Sequence, residues 1–246
     1  MAGHSKWAQI KRHKAVVDAK RGVAYAQAAR EIAVATRLGG ADPSFNFRLR
    51  NAILRAKEVG MPNDNIQRAI ERFTSLKAGA NFEEIIYEGY GPYGVAVLVE
   101  VASDNRHRTA AELRLIFSDW GGNLGETGCV SWCFKRTGVI SISGAKLTLD
   151  QLLDYASDLP IEDINSEIEE TTESGGYILL VAPENLELVS KKLEDKGLST
   201  SYELTYLPEN TLLIGDPAHA ENLGKLFQAL EDYKEVSCIH HNAELP

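Results

Sequence analysis

Near residue 80 the chain changes its period. Upstream, apolar residues recur at helical spacing: Tyr25, Ala29, Ile32 and Thr36, then Leu49, Ile53 and Ala56, then Ile66, Ile70 and Phe73. Downstream they come in β-rich runs, Ile85-Ile86-Tyr87 and 95–101, or alternate, as Val130, Trp132 and Phe134 do against Ser131, Cys133 and Lys135. A helical pattern and a strand pattern do not settle into one layer, so the chain divides here. Its 246 residues, 44% hydrophobic and 25% charged, suffice for two domains or three small ones.

Punctuation refines the division. Gly39-Gly40 ends a helix over 23–38, Asp42-Pro43 reads as N-cap and N1 proline of a second that stops at Gly60, and Asn63 or Asp64 caps a third. Three short helices with tight connections predict a bundle over about 23–77. After the β runs, 106–118 reads as a helix and Gly121-Gly122 breaks it. Residues 139–143 read as a strand, and Thr148 caps a helix to Ala156. A weaker strand at 164–168 and a strong one at 177–182 follow. Pro183 then opens a helix that Gly197 ends, and 201–206 closes the set. That order, βαββαβ, is the ferredoxin-like split motif. The last strand, helix and strand, at 211–214, 217–230 and 235–240, hold too little core to stand alone and are expected to return to the sheet of 84–134. The predicted class is α+β multidomain: an N-terminal three-helix bundle, then two α/β domains, at least one ferredoxin-like, the second inserted in the first. The expected boundaries are 1–80, 81–135 with 209–246, and 136–208.

Charge follows the same division. Residues 1–80 hold 15 Lys/Arg against 6 Asp/Glu, a net +9, within a chain of net charge -9. Within 1–22, Lys6, Lys11, Arg12, Lys14, Lys20 and Arg21 stand against Asp18 alone, with Trp7 among them. Lysine and arginine displace counterions from phosphates, and an indole stacks on an unpaired base, so this arm calls for an anionic partner, nucleic acid. A solvated tail with Trp7 tucked onto the helices is the plainer reading of the same residues. Arg48, Arg50, Arg55 and Lys57 extend the positive charge into the helices without forming one stripe. Three cysteines without framework spacing, no secretory apolar segment and no apolar run of the ~18–20 residues that span a bilayer predict a soluble cytoplasmic protein with no membrane partner.

Asp104-Asn105-Arg106-His107-Arg108-Thr109 lies between a strand and a helix. Asp104 or Asn105 serves as an N-cap, yet Arg106 and Arg108 in the first turn oppose the helix dipole and so mark an interdomain or anion contact. The 121–128 glycine run follows a helix and precedes a strand, the reverse of a dinucleotide loop, and reads as a turn. Cys129 and Cys133, His240-His241 and the acids of 162–173 make no ligand set with metal spacing, and no nucleophile signature occurs. No cofactor, metal, small-molecule substrate or enzymatic activity is expected.

The arm, 1–7 with Ile10-Lys11, Lys14-Ala15, Asp18 and Lys20-Arg21-Gly22, closely resembles the opening of the YebC family. The likeness runs on through Gly39-Gly40, Asp42-Pro43, Asn46, Arg48-Leu49-Arg50, Met61-Pro62 and Asp64-Asn65-Ile66. It continues through Tyr87-Glu88-Gly89-Tyr90-Gly91-Pro92, Asp104-Asn105-Arg106, Arg108-Thr109 and Gly121-Gly122. The family includes bacterial proteins described as probable transcriptional regulators and the mitochondrial translational activator of cytochrome oxidase subunit I. The resemblance implies three domains, one inserted in another, and a nucleic-acid-facing N-terminal domain without catalytic residues. Its implied function is DNA-binding transcriptional regulation at promoters. The alternative is a translation factor that contacts rRNA or tRNA on the ribosome and relieves stalling. The chain departs from the family pattern at Val23-Ala24-Tyr25, which drops two cations, and at Phe47, Gly60, Tyr93, His107 and Cys129.

Overall fold

The computed structural model describes residues 21–75, 83–142, 147–167, 176–198 and 200–245. It is a mixed α and β protein with antiparallel main sheets, and it divides into two compact units, Met1–Lys135 with Leu207–Pro246, and Arg136–Tyr206.

The first unit opens with three helices, α1 (Arg21–Gly39), α2 (Phe47–Glu58) and α3 (Asn63–Ser75). They share a core of Ile32, Leu49, Ala56, Met61, Ile66 and Ile70. The side chain of Phe73 lies outside the described residues. The N-cap of α2 is Asn46, not Asp42 as the sequence suggested. Asp42 instead accepts Ser44 N–H at 2.8 Å and begins a turn. Asn46 wins the cap because its amide serves two helices at once. Oδ1 accepts Leu49 N–H at 3.0 Å, while Nδ2 donates to Ala35 O and Gly40 O, both at 2.7 Å. The amide sits directly against Gly39, where an added Cβ would come within 2.7 Å of it.

Strand β1 (Glu83–Tyr90) pairs antiparallel with β2 (Ala96–Ser103) through a tight turn at Tyr93-Gly94, both with positive φ, 64° and 81°. Such a turn matches the twist of a hairpin but favours glycine, asparagine or aspartate at both places. The Tyr93 ring stacks on His219, with centroids 3.8 Å apart. α4 (Arg106–Asp119), β3 (Asn123–Leu124), α7 (Pro217–Asp232) and β9 (Val236–His241) complete the layer; the strand order is β3-β1-β2-β9. Val97, Val99 and Val101 of β2 pack with Leu113 and Phe117 of α4 and with Leu223, Leu226 and Leu230 of α7. Ala96, Leu98 and Ala102 are buried as well, so β2 is covered on both faces and reads as an unbroken apolar run. Two short strands, β8 (Leu212–Leu213) and β10 (Ala243–Glu244), pair in parallel beside it.

Residues 130–134 do not form the strand that their alternation suggested. Ser131–Cys133 is a 3-10 turn and the strand begins at Phe134. Buried Glu88 is the cause. Its carboxylate accepts Gly128 N–H at 2.7 Å and both Val130 and Ser131 N–H at 2.8 Å. Successive N–H groups of a strand point to opposite sides and cannot converge on one oxygen. Burial, the largest influence on Glu88, pushes its carboxyl up; the three amide donors, with the Ser131 side chain, outweigh it and hold it below the usual range.

The second unit runs β4 (Phe134–Ile142), α5 (Leu149–Ala156), β5 (Ile161–Glu167), β6 (Gly176–Val181), α6 (Leu186–Asp195) and β7 (Thr200–Pro208), with strand order β5-β6-β4-β7. Thr148 caps α5 in a reciprocal capping box with Gln151. Pro183 begins a 3-10 turn, Pro183–Asn185, and the α-helix starts only at Leu186. The chain enters and leaves on neighbouring strands, and Glu209 N–H donates to Cys133 O at 2.8 Å across the base.

The Asn46 knot is directly testable. Asn46→Ala removes a cap and strands two carbonyls and an amide, and is expected to lower stability by about 2–3 kcal/mol in urea unfolding. A loss under about 0.5 kcal/mol, the range of ordinary surface substitutions, would show that the knot is incidental.

Candidate nucleic-acid interface

Of the arm, Lys6, Trp7, Lys11, Arg12, Lys14 and Lys20 lie outside the described residues, and Arg21 opens α1. The cations of the helices split into two groups. Arg48 makes a two-pronged ion pair with Glu84 of β1, its Nη1 at 2.8 Å from Oε2. Arg55 pairs with Glu31 of α1 at 3.2 Å. Arg30 donates to Val236 O at 2.7 Å, tying α1 to β9. Burial, the largest influence on Arg30, lowers its pKa below the ordinary guanidinium value, and Glu235 opposes that shift. These three link elements within the first unit. Arg50, Lys57 and Arg68 are exposed, as Arg48 is, while Arg30 and Arg55 are partly covered. Arg50 donates Nε to Pro43 O at 3.1 Å and Nη2 to Ser44 O at 3.3 Å, neutral acceptors that leave its charge standing. Lys57 lines an open cleft of about 540 Å³ between α2 and α3, with Pro43, Ile53, Ile66, Gln67 and Ile70.

The loop before α4 is exposed, but its polar groups bond mostly within the first unit. Asn105 is the N-cap and accepts Arg108 N–H at 3.1 Å. Arg108 bonds Asp104 at 2.7 Å and also pairs with Glu235, a buried carboxylate that accepts Thr109 Oγ1 as well. These bonds answer the puzzle of cations in a first turn: Arg108 meets acids on its own loop and on the segment before β9. Arg106 offers its carbonyl to Tyr87 Oη at 2.9 Å, and its side chain lines a cleft of about 310 Å³ with Tyr87, His107 and Ala110. Burial raises Glu235, but Thr109 and Arg108 outweigh it and lower its pKa.

The anchoring roles of Glu88 and Glu235 do not follow from spacing, although each is an acid set beside buried residues of a sheet, which is itself a signal. The adjacent histidines are also committed. His240 Nε2 lies 2.6 Å from Glu100 Oε1 across the β2–β9 pair, and His241 stacks on Phe227 at 4.2 Å. Among the described residues no group of three or more His, Cys, Asp or Glu is placed to hold a metal ion, and no helix is long and apolar enough to cross a membrane.

The N-terminal helices carry exposed cations, and the glycine loop is folded onto a buried glutamate. The chain belongs to the TACO1/YebC family: residues 5–76 match the model of its N-terminal domain, and residues 82–243 that of its second and third domains. A probable transcriptional regulatory protein of Moorella thermoacetica is 46% identical over 250 residues, covering 100% of this chain and 96% of that protein. A protein of the same description from a Nostoc species is 48% identical over 248 residues, with 100% and 96% covered. The crystal structure of a conserved hypothetical protein from Aquifex aeolicus matches at a TM-score of 0.77 and 42% identity, over 94% of this chain and 93% of that one.

The His240–Glu100 pair carries a pH dependence. Burial, the largest influence, opposes protonation of His240; the Cys238 and Glu100 side chains outweigh it and raise its pKa from 6.5 to about 9. A raised value means that the pair stabilises the fold fully below pH 6.5 and loses that contribution as pH climbs through about 9. The stability advantage of the native protein over Glu100→Gln is therefore expected to narrow over that window in urea titrations. An advantage constant across it would mean that His240 is already neutral.

Proposed function

We propose that this chain is a non-enzymatic, nucleic-acid-binding regulator of gene expression, with residues 1–80 as its contact surface and transcriptional regulation at duplex DNA as its role. One observation carries the reading: the net +9 of residues 1–80, set in a chain of net -9, gives the molecule one face for a polyanion and a remainder that repels it. The names of the relatives, probable transcriptional regulatory proteins, support the regulatory part. Binding residues in this reading are Lys6, Trp7, Lys11, Arg12, Lys14, Lys20 and Arg21, joined by Arg50 and by Arg48, which would exchange Glu84 for phosphate. Asp104, Asn105, Arg106 and Arg108 form a supporting anion or interdomain contact, with Arg106 as the member that reaches a cleft. The protein is cytoplasmic and needs no cofactor.

The same reading divides the chain into domains 1–80, 81–135 with 209–246, and 136–208. The first is a three-helix bundle, and the inserted one a ferredoxin-like motif. The element order β4-α5-β5-β6-α6-β7, with strands ordered β5-β6-β4-β7, supports the latter.

Filter binding to mixed-sequence duplex DNA over a salt series tests the proposal. The quadruple variant Lys6→Ala/Lys11→Ala/Arg12→Ala/Lys14→Ala is expected to bind more weakly and to lower the log–log salt slope by about 3 to 4. Co-sedimentation with ribosomes runs beside it. Salt-resistant ribosome binding with no duplex affinity moves the target to rRNA or tRNA. A variant as tight as the native protein on both removes the arm from the site.

A further inference from the structure

We propose that Phe45 is a stacking platform for an unpaired nucleic-acid base, with Arg50 placed to meet the adjoining phosphate. The proposal rests on the nucleic-acid reading above and adds to it a residue and a ligand form. Phe45 is 89% exposed, more than any other large apolar side chain of the described residues. Single exposed apolar residues are common and need no explanation by themselves. Three things set this one apart.

First, the loop that presents it is built rather than loose. Asp42 Oδ1 accepts Ser44 N–H, and Asp42 O accepts both Phe45 N–H at 3.2 Å and Asn46 N–H at 3.0 Å. Arg50 binds the carbonyls of Pro43 and Ser44 from the other side. An aromatic ring held out on a hydrogen-bonded turn has already lost the backbone freedom that binding would otherwise cost. Secondly, the other exposed aromatics near turns are engaged. Trp132 Nε1 and Tyr90 Oη both donate to Cys129 O at 3.0 Å, and Tyr93 stacks on His219. Thirdly, the charge around Phe45 suits a polyanion. Arg50 lies against the carbonyl of the preceding residue with its charge unneutralised by those bonds, and the domain holds 15 cations to 6 acids. A flat π-face beside a cation is the arrangement by which single strands are bound without regard to sequence, ring on base and cation on phosphate. A duplex offers no free base face, so the contact selects unpaired segments of RNA or DNA.

The test uses the full chain and oligonucleotides of about 12 nucleotides, single-stranded RNA, single-stranded DNA and the matching duplex, each with a central 2-aminopurine. Phe45→Ala and Phe45→Leu are each expected to weaken single-strand binding about five- to a hundredfold and to abolish 2-aminopurine quenching, with duplex affinity unchanged. Phe45→Trp should keep both. The exposure of the ring makes all three compatible with folding, which circular dichroism checks. The RNA and DNA arms, by which strand loses more affinity, name the strand. If Phe45→Leu binds and quenches as the native protein does, the contact is apolar rather than stacking, as in a protein pocket, and the proposal is overturned. If Phe45→Ala is without effect while the quadruple arm variant still weakens binding, stacking falls and the nucleic-acid reading stands. If the native protein binds none of the three, both fall.

Discussion

A carboxylate withdrawn from water must be met by donors on every side, and Glu235 collects them from several elements. Arg108 and Thr109 come from the start of α4, and Tyr233 Oη from the end of α7 at 3.2 Å. The backbone joins in: Ala102 N–H of β2 donates to Glu235 O, and the next carbonyl, Val236 O, takes Arg30 from α1. Within the first unit, then, sheet, flanking helices and N-terminal helices meet at one peptide step. Removing a donor from such a site leaves the buried Glu235 carboxylate short of a partner, which is costly even where the net contribution of the pair is small. The Asp104–Thr109 motif, conspicuous for its charge, is largely explained by this joint.

Much of the architecture was legible because it rests on period and punctuation. The helices that end at Gly39 and Glu58, the Thr148 cap, the strong strand β6 and the terminal helix α7 all lie within a few residues of the positions read from spacing. What was illegible depended on contacts distant in sequence. Asp42-Pro43 looked like a cap, but the deciding fact was that Asn46 could reach Ala35 O on the preceding helix. The alternation at 130–134 looked like a strand until a glutamate some forty residues earlier drew two adjacent amides the same way. The candidate interface is legible as charge and not as individual contacts: counting gives the net positive residues 1–80, while the structure separates Arg30, Arg48 and Arg55, which bond to other elements of the first unit, from exposed Arg50, whose bonds go to carbonyls of its own loop. Phe45 fits no periodic pattern, so periodicity had no way to single it out.

The departures from the family pattern also acquire physical meaning. Tyr93 occupies a turn position that prefers glycine, asparagine or aspartate, and its ring against His219 supplies a contact that glycine could not make. Cys129 belongs to the loop that Glu88 gathers in. Its thiol is raised above its ordinary range by burial and then by Glu88.

Within the first unit, the hydrogen bond from Glu209 N–H to Cys133 O joins the two chain segments between which residues 134–208 run, and that path begins and ends on the neighbouring strands β4 and β7. For the remainder of the chain that whole segment is equivalent to a short, closed loop. The entropy of joining its ends grows only with the logarithm of its length. The length of that segment therefore weighs little on the closure of the first unit, a modularity written into two adjacent strands.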